Sequence, residues 1–322
     1  MRTLRNAFTM LELTFVIVVM GIVGTIGVEI FRNAYEAYMA SAVNQRLQSE
    51  TELTLKQIAN RLQYRFKDSV IGRKSTGFDG LSSTTLDQNY TAIEWVGYDI
   101  DGWQGEWDGT AGFNLPTWSG FIDLDSPDGN ATQLHTPGTD TTFIGNVIDD
   151  LKANGSNTDV TKTAIFFTGA NTNVQTGYGW DGTALTDQNG SAAHWVKDTV
   201  DVDKFVSGNG DDFAGIDIYE QYKLAWTAYA LALEDGDGDG KNDELYLYYD
   251  YQPWEGEAYN ATTINGGVNV ADRKRLLMDN VTTFKFQAIG DILRVQLCVD
   301  NNATGIITAN QYYSLCKEKV IF

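Results

Sequence analysis

The alternation of apolar and polar positions changes character twice along this chain, dividing it into three stretches. Residues 8–28 are apolar apart from Thr9, Thr14, Thr25, three glycines and one charge, Glu12. Such a run of helix rises about 31 Å, enough to cross the hydrocarbon core of a bilayer. No proline or turn follows Val28. The pattern continues into 29–66, where Leu55, Ile58, Ala59, Leu62 and Phe66 recur at helical spacing. One long helix over 8–66 is therefore predicted, roughly 90 Å if unbroken. Gly21, Gly24 and Gly27 lower its propensity locally.

Beyond Phe66 the period shortens. Gly72, Gly77 and Gly80 among Ser and Thr predict a loop, and 91–98, 119–124 and 163–168 predict strands rich in β-branched or aromatic residues. The stretch 99–215 is loop-like in Gly, Asp, Asn and Thr, and carries Trp103, Trp107, Trp118, Trp180 and Trp195. Further on, 222–233 predicts a strand, 235–243 a loop and 244–251 another strand. Residues 281–289 and 292–299 flank Gly290-Asp291, a two-residue hairpin signal. The last residues, 319–322, predict an edge strand beside Cys316. The expected class is α+β: a long N-terminal helix on an antiparallel sheet, with a large loop-rich β insertion over 99–215.

Charge narrows the partners. The chain is 322 residues long with a formal net charge of -20. Between Ser75 and Tyr222 stand 23 acids against 4 lysines and no arginine, whereas 32–74 carries eight basic residues. So acidic a surface repels phosphate backbones and argues against nucleic acid. It suits calcium binding or solubility outside the cell. The two cysteines, Cys298 and Cys316, allow one intramolecular pair. An oxidising exterior, implied by the membrane segment, favours the disulfide, which stabilises by about 3 kcal/mol.

Glu12 is the informative position. A carboxylate inside a bilayer costs several kcal/mol unless paired or neutralised. Arg2 and Arg5 precede the apolar run and predict a cytoplasmic N-terminus. Ordinary secretory signals are cleaved after the apolar stretch at a small-residue site, and none follows here. A new α-amino group at Phe8 would supply the missing cation; snorkelling of Glu12 to the headgroups is the plainer alternative.

The run Ala7-Phe8-Thr9-Met10-Leu11-Glu12-Leu13-Thr14, followed by Phe15-Val-Ile-Val-Val-Met-Gly-Ile, resembles the class III signal of type IV pilins and type II secretion pseudopilins. The resemblance implies a leader over 1–7, cut between Ala7 and Phe8 on the cytoplasmic face by a prepilin peptidase, and N-methylation of Phe8. It also implies that Glu12 pairs with the N-terminal amine of a neighbouring subunit during filament assembly. Ala7 stands where the family usually has Gly, which predicts slower cleavage. The fold implied is pilin-like, with an extracytoplasmic domain over 67–322. The segment from Asp279 to Phe286 with its following hairpin is similar to the J-type minor pseudopilins.

Asp235, Asp237, Asp239 and Asp243 occupy loop positions 1, 3, 5 and 9, with Gly240 at position 6. Calcium takes six to eight oxygens, and this spacing directs successive carboxylates at one centre. The Lys241 carbonyl is the position 7 candidate. Position 12 is Tyr246, unlike an EF-hand, so Glu244 or a distant acid has to complete the shell. The loop resembles the calcium loops of β-proteins; the alternative is an acidic turn using Asp-Gly chemistry alone. A second cluster, Asp123, Asp125 and Asp128, is less well spaced.

Nothing points to catalysis. His135 and His194 are the two histidines, and neither a Gly-x-Ser-x-Gly elbow nor a phosphate-binding glycine loop occurs. The function expected is a minor pilin or pseudopilin subunit, inserted in the inner membrane and then assembled with other subunits, at the filament tip. The alternative is a tip adhesin that binds glycans or surfaces through the tryptophan-rich 99–215 insertion, although tryptophans in such a domain more often fill its core.

Overall fold

A computed structural model describes residues 9–81, 90–108, 113–127, 129, 131–170, 173–185, 190–208, 210, 212–300 and 314–322. The first element, α1 (Met10–Gln63), is one helix of 54 residues, roughly 80 Å long. The Thr9 hydroxyl caps it by accepting from the Glu12 N–H. Its two halves differ. Apolar side chains from Met10 to Tyr38 stand exposed, whereas Thr51, Thr54, Leu55, Ile58 and Leu62 are buried. The helix ends three residues before the predicted limit because the sheet captures the chain: the Phe66 N–H donates to the Val96 carbonyl at 2.9 Å.

In chain order the first elements after α1 are β1 (Ile71–Arg73), β2 (Phe78–Gly80), β3 (Ala92–Gly97), α2 (Ile100–Gln104), β4 (Glu106–Asp108), β5 (Phe113–Leu115), β6 (Gln133–His135) and α3 (Thr141–Leu151). Then come β7 (Ala164–Phe167), β8 (His194–Lys197), β9 (Lys204–Ser207), β10 (Tyr222–Ala225), β11 (Thr227–Glu234) and β12 (Glu244–Tyr251). The chain closes with β13 (Thr263–Ile264), β14 (Val268–Asn269), β15 (Lys274–Met278), β16 (Val281–Ile289), β17 (Ile292–Asp300) and β18 (Ser314–Ile321). A central sheet runs β15-β12-β11-β3-β1-β2, a second runs β10-β7-β8-β9-β6, and a third runs β16-β17-β18. Paired strands are antiparallel throughout the described residues. The class is α+β, with the long helix at the N-terminus.

Side-chain alternation makes the layers. Along β11, Tyr229, Leu231 and Leu233 pack with Leu55, Ile58 and Leu62 of α1. Ala228, Ala230 and Ala232 face the other way, in the core that holds Tyr178, Trp180 and Trp254. The period is 2, but both faces are covered, so the strand reads as an unbroken apolar run. The same division recurs in β7: Ala164 and Phe166 join the core shared with the central sheet, while Ile165 and Phe167 join Ile144 and Ile148 of α3. Helix, central sheet, second sheet and α3 thus stack in that order. The third sheet closes on α1 from its own side, adding Val295, Leu297 and Val299 to the helix's core.

Four sequence expectations need correction. The predicted strand over 222–233 breaks at Trp226, because β10 pairs with β7 while β11 pairs with β3 and β12. A bend that hands a strand from one sheet to the next has no signature in an apolar run. The predicted strand over 119–124 is reduced to an isolated bridge between Phe121 and Gln221. The predicted loop after Phe66 contains the β1–β2 hairpin. There Gly72 lies within a strand because a side chain would strike the Tyr90 ring, 2.6 Å from where its Cβ would sit. Finally, the 99–215 insertion holds α3, capped by the Asp140 carboxylate accepting from the Thr142 and Phe143 N–H groups.

Candidate functional site

The assembly residues come first. Ala7 and Phe8 lie outside the described residues. Glu12 sits in the first turn of α1, where a carboxylate meets the positive end of the helix dipole. It is exposed among apolar neighbours, with Leu11 79% and Leu13 55% accessible. From Met10 to Val28 it is the one ionisable side chain.

The acidic loop joins β11 to β12. Carboxylate oxygens of Asp235, Asp237 and Asp239 all lie within 4.8 Å of one another. Backbone geometry brings them together: Asp235 accepts from the Gly238 and Gly240 N–H groups at 2.8 and 3.0 Å, and Asp237 accepts from the Asp239 N–H at 2.9 Å. The Lys241 ammonium binds the Asp239 carboxylate at 2.5 Å and holds its pKa below the usual range. Asp243 and Glu244 fall outside the 4.8 Å group. Burial, with repulsion from Asp239, raises Asp243. Glu244 is buried and accepts from the Gly236 N–H at 2.8 Å. The loop is tied to the third sheet, because the Val281 N–H donates to the Asp243 carbonyl at 2.8 Å. A cleft of about 790 Å³ between them brings in Asp279 and Asp300 as further acids. Of the second acidic cluster, Asp128 lies outside the described residues. Asp123 turns its Oδ2 to His135 Nδ1, at 3.7 Å.

Cys298 and Cys316 form a disulfide. They are directly opposed in the β17–β18 register. The staple therefore fastens the edge strand that continues to Ile321 against α1, whose Glu52 also pairs with Lys317 at 2.7 Å.

Sequence reasoning did not find the aromatic cleft between α2 and β10. It encloses about 460 Å³ and is lined by Tyr98, Trp103, Ser119, Phe121, Gln221 and Lys223 among others. Trp95, Trp118, Trp180, Trp226 and Trp254 are buried, as core tryptophans should be, but Trp103 is 44% accessible. Its ring stands 4.8 Å from that of Trp118. Trp118 is anchored by its Nε1–H to the Asp99 carbonyl at 3.2 Å and packs 5.9 Å from Tyr222. Periodicity alone gives no signal for which tryptophan of such a set is left outside.

Comparison with protein-family models, with curated proteins and with solved structures finds no match to this chain.

Proposed function

We propose that this chain is a filament subunit of the type IV pilin or type II secretion pseudopilin kind, made as a precursor and released for assembly by removal of residues 1–7. The observation that carries the reading is the division of α1. Its first half exposes an apolar surface with one carboxylate, Glu12, and its second half is locked between two sheets. Exposed apolar surface of that extent needs lipid or protein around it. The bilayer provides the first cover, with the N-terminus cytoplasmic and 67–322 on the periplasmic side. Helices of other subunits provide the second. In the filament the Phe8 amine of one subunit neutralises Glu12 of its neighbour, which removes the cost of an unpaired charge in an apolar bundle.

A domain as bulky as 67–322 suits a minor subunit at the tip better than one repeated along a shaft. The acidic loop supports calcium as a structural partner, held by Asp235, Asp237 and Asp239, with the Lys241 carbonyl, Asp243 and Glu244 as the remaining sequence candidates. An ion there would draw Lys241 off Asp239 and fix the loop against the third sheet.

The reading is tested on protein isolated from its own cells. Mass spectrometry is expected to show a chain starting at a methylated Phe8. Glu12→Ala is expected to remain in the membrane fraction and be lost from sheared filaments. Intact 1–7 in the assembled protein, or normal incorporation of the Glu12→Ala chain, would overturn it.

A further inference from the structure

Among the described residues beyond α1, the exposed aromatic side chains are Trp103, Phe121, Tyr219 and Phe322, and two of these, Trp103 and Phe121, line one cleft. An indole left in water on an otherwise polar surface forgoes a large burial free energy. Here the loss is built in. The helix that carries Trp103 is only five residues long, opened by Asp99, whose carboxylate accepts from the Gly102 N–H at 3.0 Å. Under the indole stand Trp118 and Tyr222, both buried. The Tyr222 hydroxyl is fixed by Thr136 and Thr139 at 2.7 and 3.1 Å. The exposed ring thus rests on a rigid aromatic column. A platform of this kind loses little conformational entropy when something stacks on it.

The rim is polar and of a particular kind. Gln221 and Lys223 flank buried Tyr222 and so share the outward face of the strand. Lys223 lies 4.4 Å over the Tyr98 ring and makes no ion pair with a carboxylate among the described residues. The Gln221 carboxamide likewise bonds none of the described residues. Both therefore offer hydrogen-bond donors beside an aromatic face.

We propose that this cleft binds a neutral pyranose unit of a polysaccharide. A pyranose ring has an apolar C–H face, which matches the Trp103 and Phe121 rings, and a rim of hydroxyls, which matches Gln221 and Lys223. The charge of the molecule selects among sugars. With a net charge of -20 over the whole chain, the molecule repels uronate and sialate polymers, and one lysine already shared with a tyrosine ring does not reverse that field. The cleft's volume falls in the range of small-molecule sites. The inference does not depend on filament assembly and survives if that reading fails.

The test uses the full chain in nanodiscs free of glycolipid. Isothermal titration with neutral hexasaccharides (β-1,4-glucan, α-1,4-glucan and N-acetylglucosamine oligomers) is compared with alginate and polygalacturonate oligomers. At least one neutral oligomer is expected to bind, with an accompanying change in tryptophan fluorescence. Trp103→Ala is expected to weaken it by about tenfold or more, Trp103→Phe to retain part of the affinity, and Gln221→Ala with Lys223→Met to weaken it without quenching the fluorescence response. Phe121→Ala serves as the second platform variant should Trp103→Ala melt early. No binding by any neutral oligomer, preference for the acidic ones, or binding unchanged in folded Trp103→Ala and Phe121→Ala would each overturn the proposal.

Discussion

The Arg73 guanidinium meets the Glu94 carboxylate between the two larger sheets, Nε to Oε1 at 2.5 Å, and the Glu94 side chain has no access to solvent. Tyr251 donates its hydroxyl to the other carboxylate oxygen at 2.9 Å, and Arg73 Nη1 reaches the Trp180 carbonyl at 2.9 Å. Burial raises the Glu94 carboxyl above its ordinary range, and the guanidinium and the Tyr251 hydroxyl offset only part of that rise. The pair therefore ties β1 and β3 to the insertion. Replacing Arg73 with Met leaves a buried charge alone and is expected to cost about 3–5 kcal/mol in urea unfolding. Adding Glu94→Leu to Arg73→Met is expected to restore more than half of that. A double variant no more stable than the single one would show that the two residues are not coupled.

Two buried groups give opposite acid responses. Asp99 is 3% accessible, and burial raises its pKa to about 6. The unfolded chain loses that proton near pH 4. Between about 4 and 6 the folded state holds more protons, so the Asp99 contribution falls as pH rises and is flat above. His194 is 4% accessible, and burial lowers its pKa to about 4. The unfolded chain takes up that proton near 6.5, so between about 6.5 and 4 stability falls as pH falls. Asp99→Asn is expected to exceed the parent chain in stability at pH 7.5, by up to about 3 kcal/mol, with the gain vanishing near pH 4. His194→Gln is expected to gain relative to the parent chain only on the acid side. Urea unfolding at pH 4, 5.5 and 7.5 reads both, and slopes of the same sign would contradict the assignment.

The Cys298–Cys316 bond closes a separation of 18 residues, and removing it is expected to cost about 3 kcal/mol. Intact mass should rise by two hydrogens on reduction. Because β18 packs on α1 around Lys317 and Glu52, hydrogen exchange after reduction is expected to accelerate first in β18 and not in β7. Uniform acceleration would place the staple's effect elsewhere.

For the acidic loop, calcium is expected to raise the melting temperature of the 67–322 domain by several degrees at saturating ion, the size given by mass action for an ion about 100-fold above its dissociation constant. Chelator should reverse the shift, and Asp237→Asn should abolish most of it. Magnesium should do less, since it demands a tighter octahedron. An Asp237→Asn chain that responds to calcium as the parent does would remove the loop from consideration.

Much of this was legible in local pattern. The strand Glu244–Tyr251 and the hairpin at Gly290-Asp291 follow from alternation and turn chemistry, which act over a few residues. The β-hairpin after Phe66 has no clear local signature, because its glycines read as turn residues whereas Gly72 is a strand position kept small by the Tyr90 ring. α3 does carry a local signal: Phe143, Ile144, Val147, Ile148 and Leu151 recur at helical spacing behind the Asp140 cap, inside a stretch whose Gly, Asp, Asn and Thr content otherwise reads as loop.

The residues alone settled that a long apolar helix lies near the N-terminus, that antiparallel strands follow and that the two cysteines allow one intramolecular pair. Each rests on composition or short-range periodicity, which needs no knowledge of distant neighbours. The tertiary structure decided where one apolar run changes sheets at Trp226, which carboxylate lies against Arg73, and which tryptophan faces water. Those outcomes depend on the segments that cover each face from tens to hundreds of residues away, and burial is a property of that packing rather than of the residue.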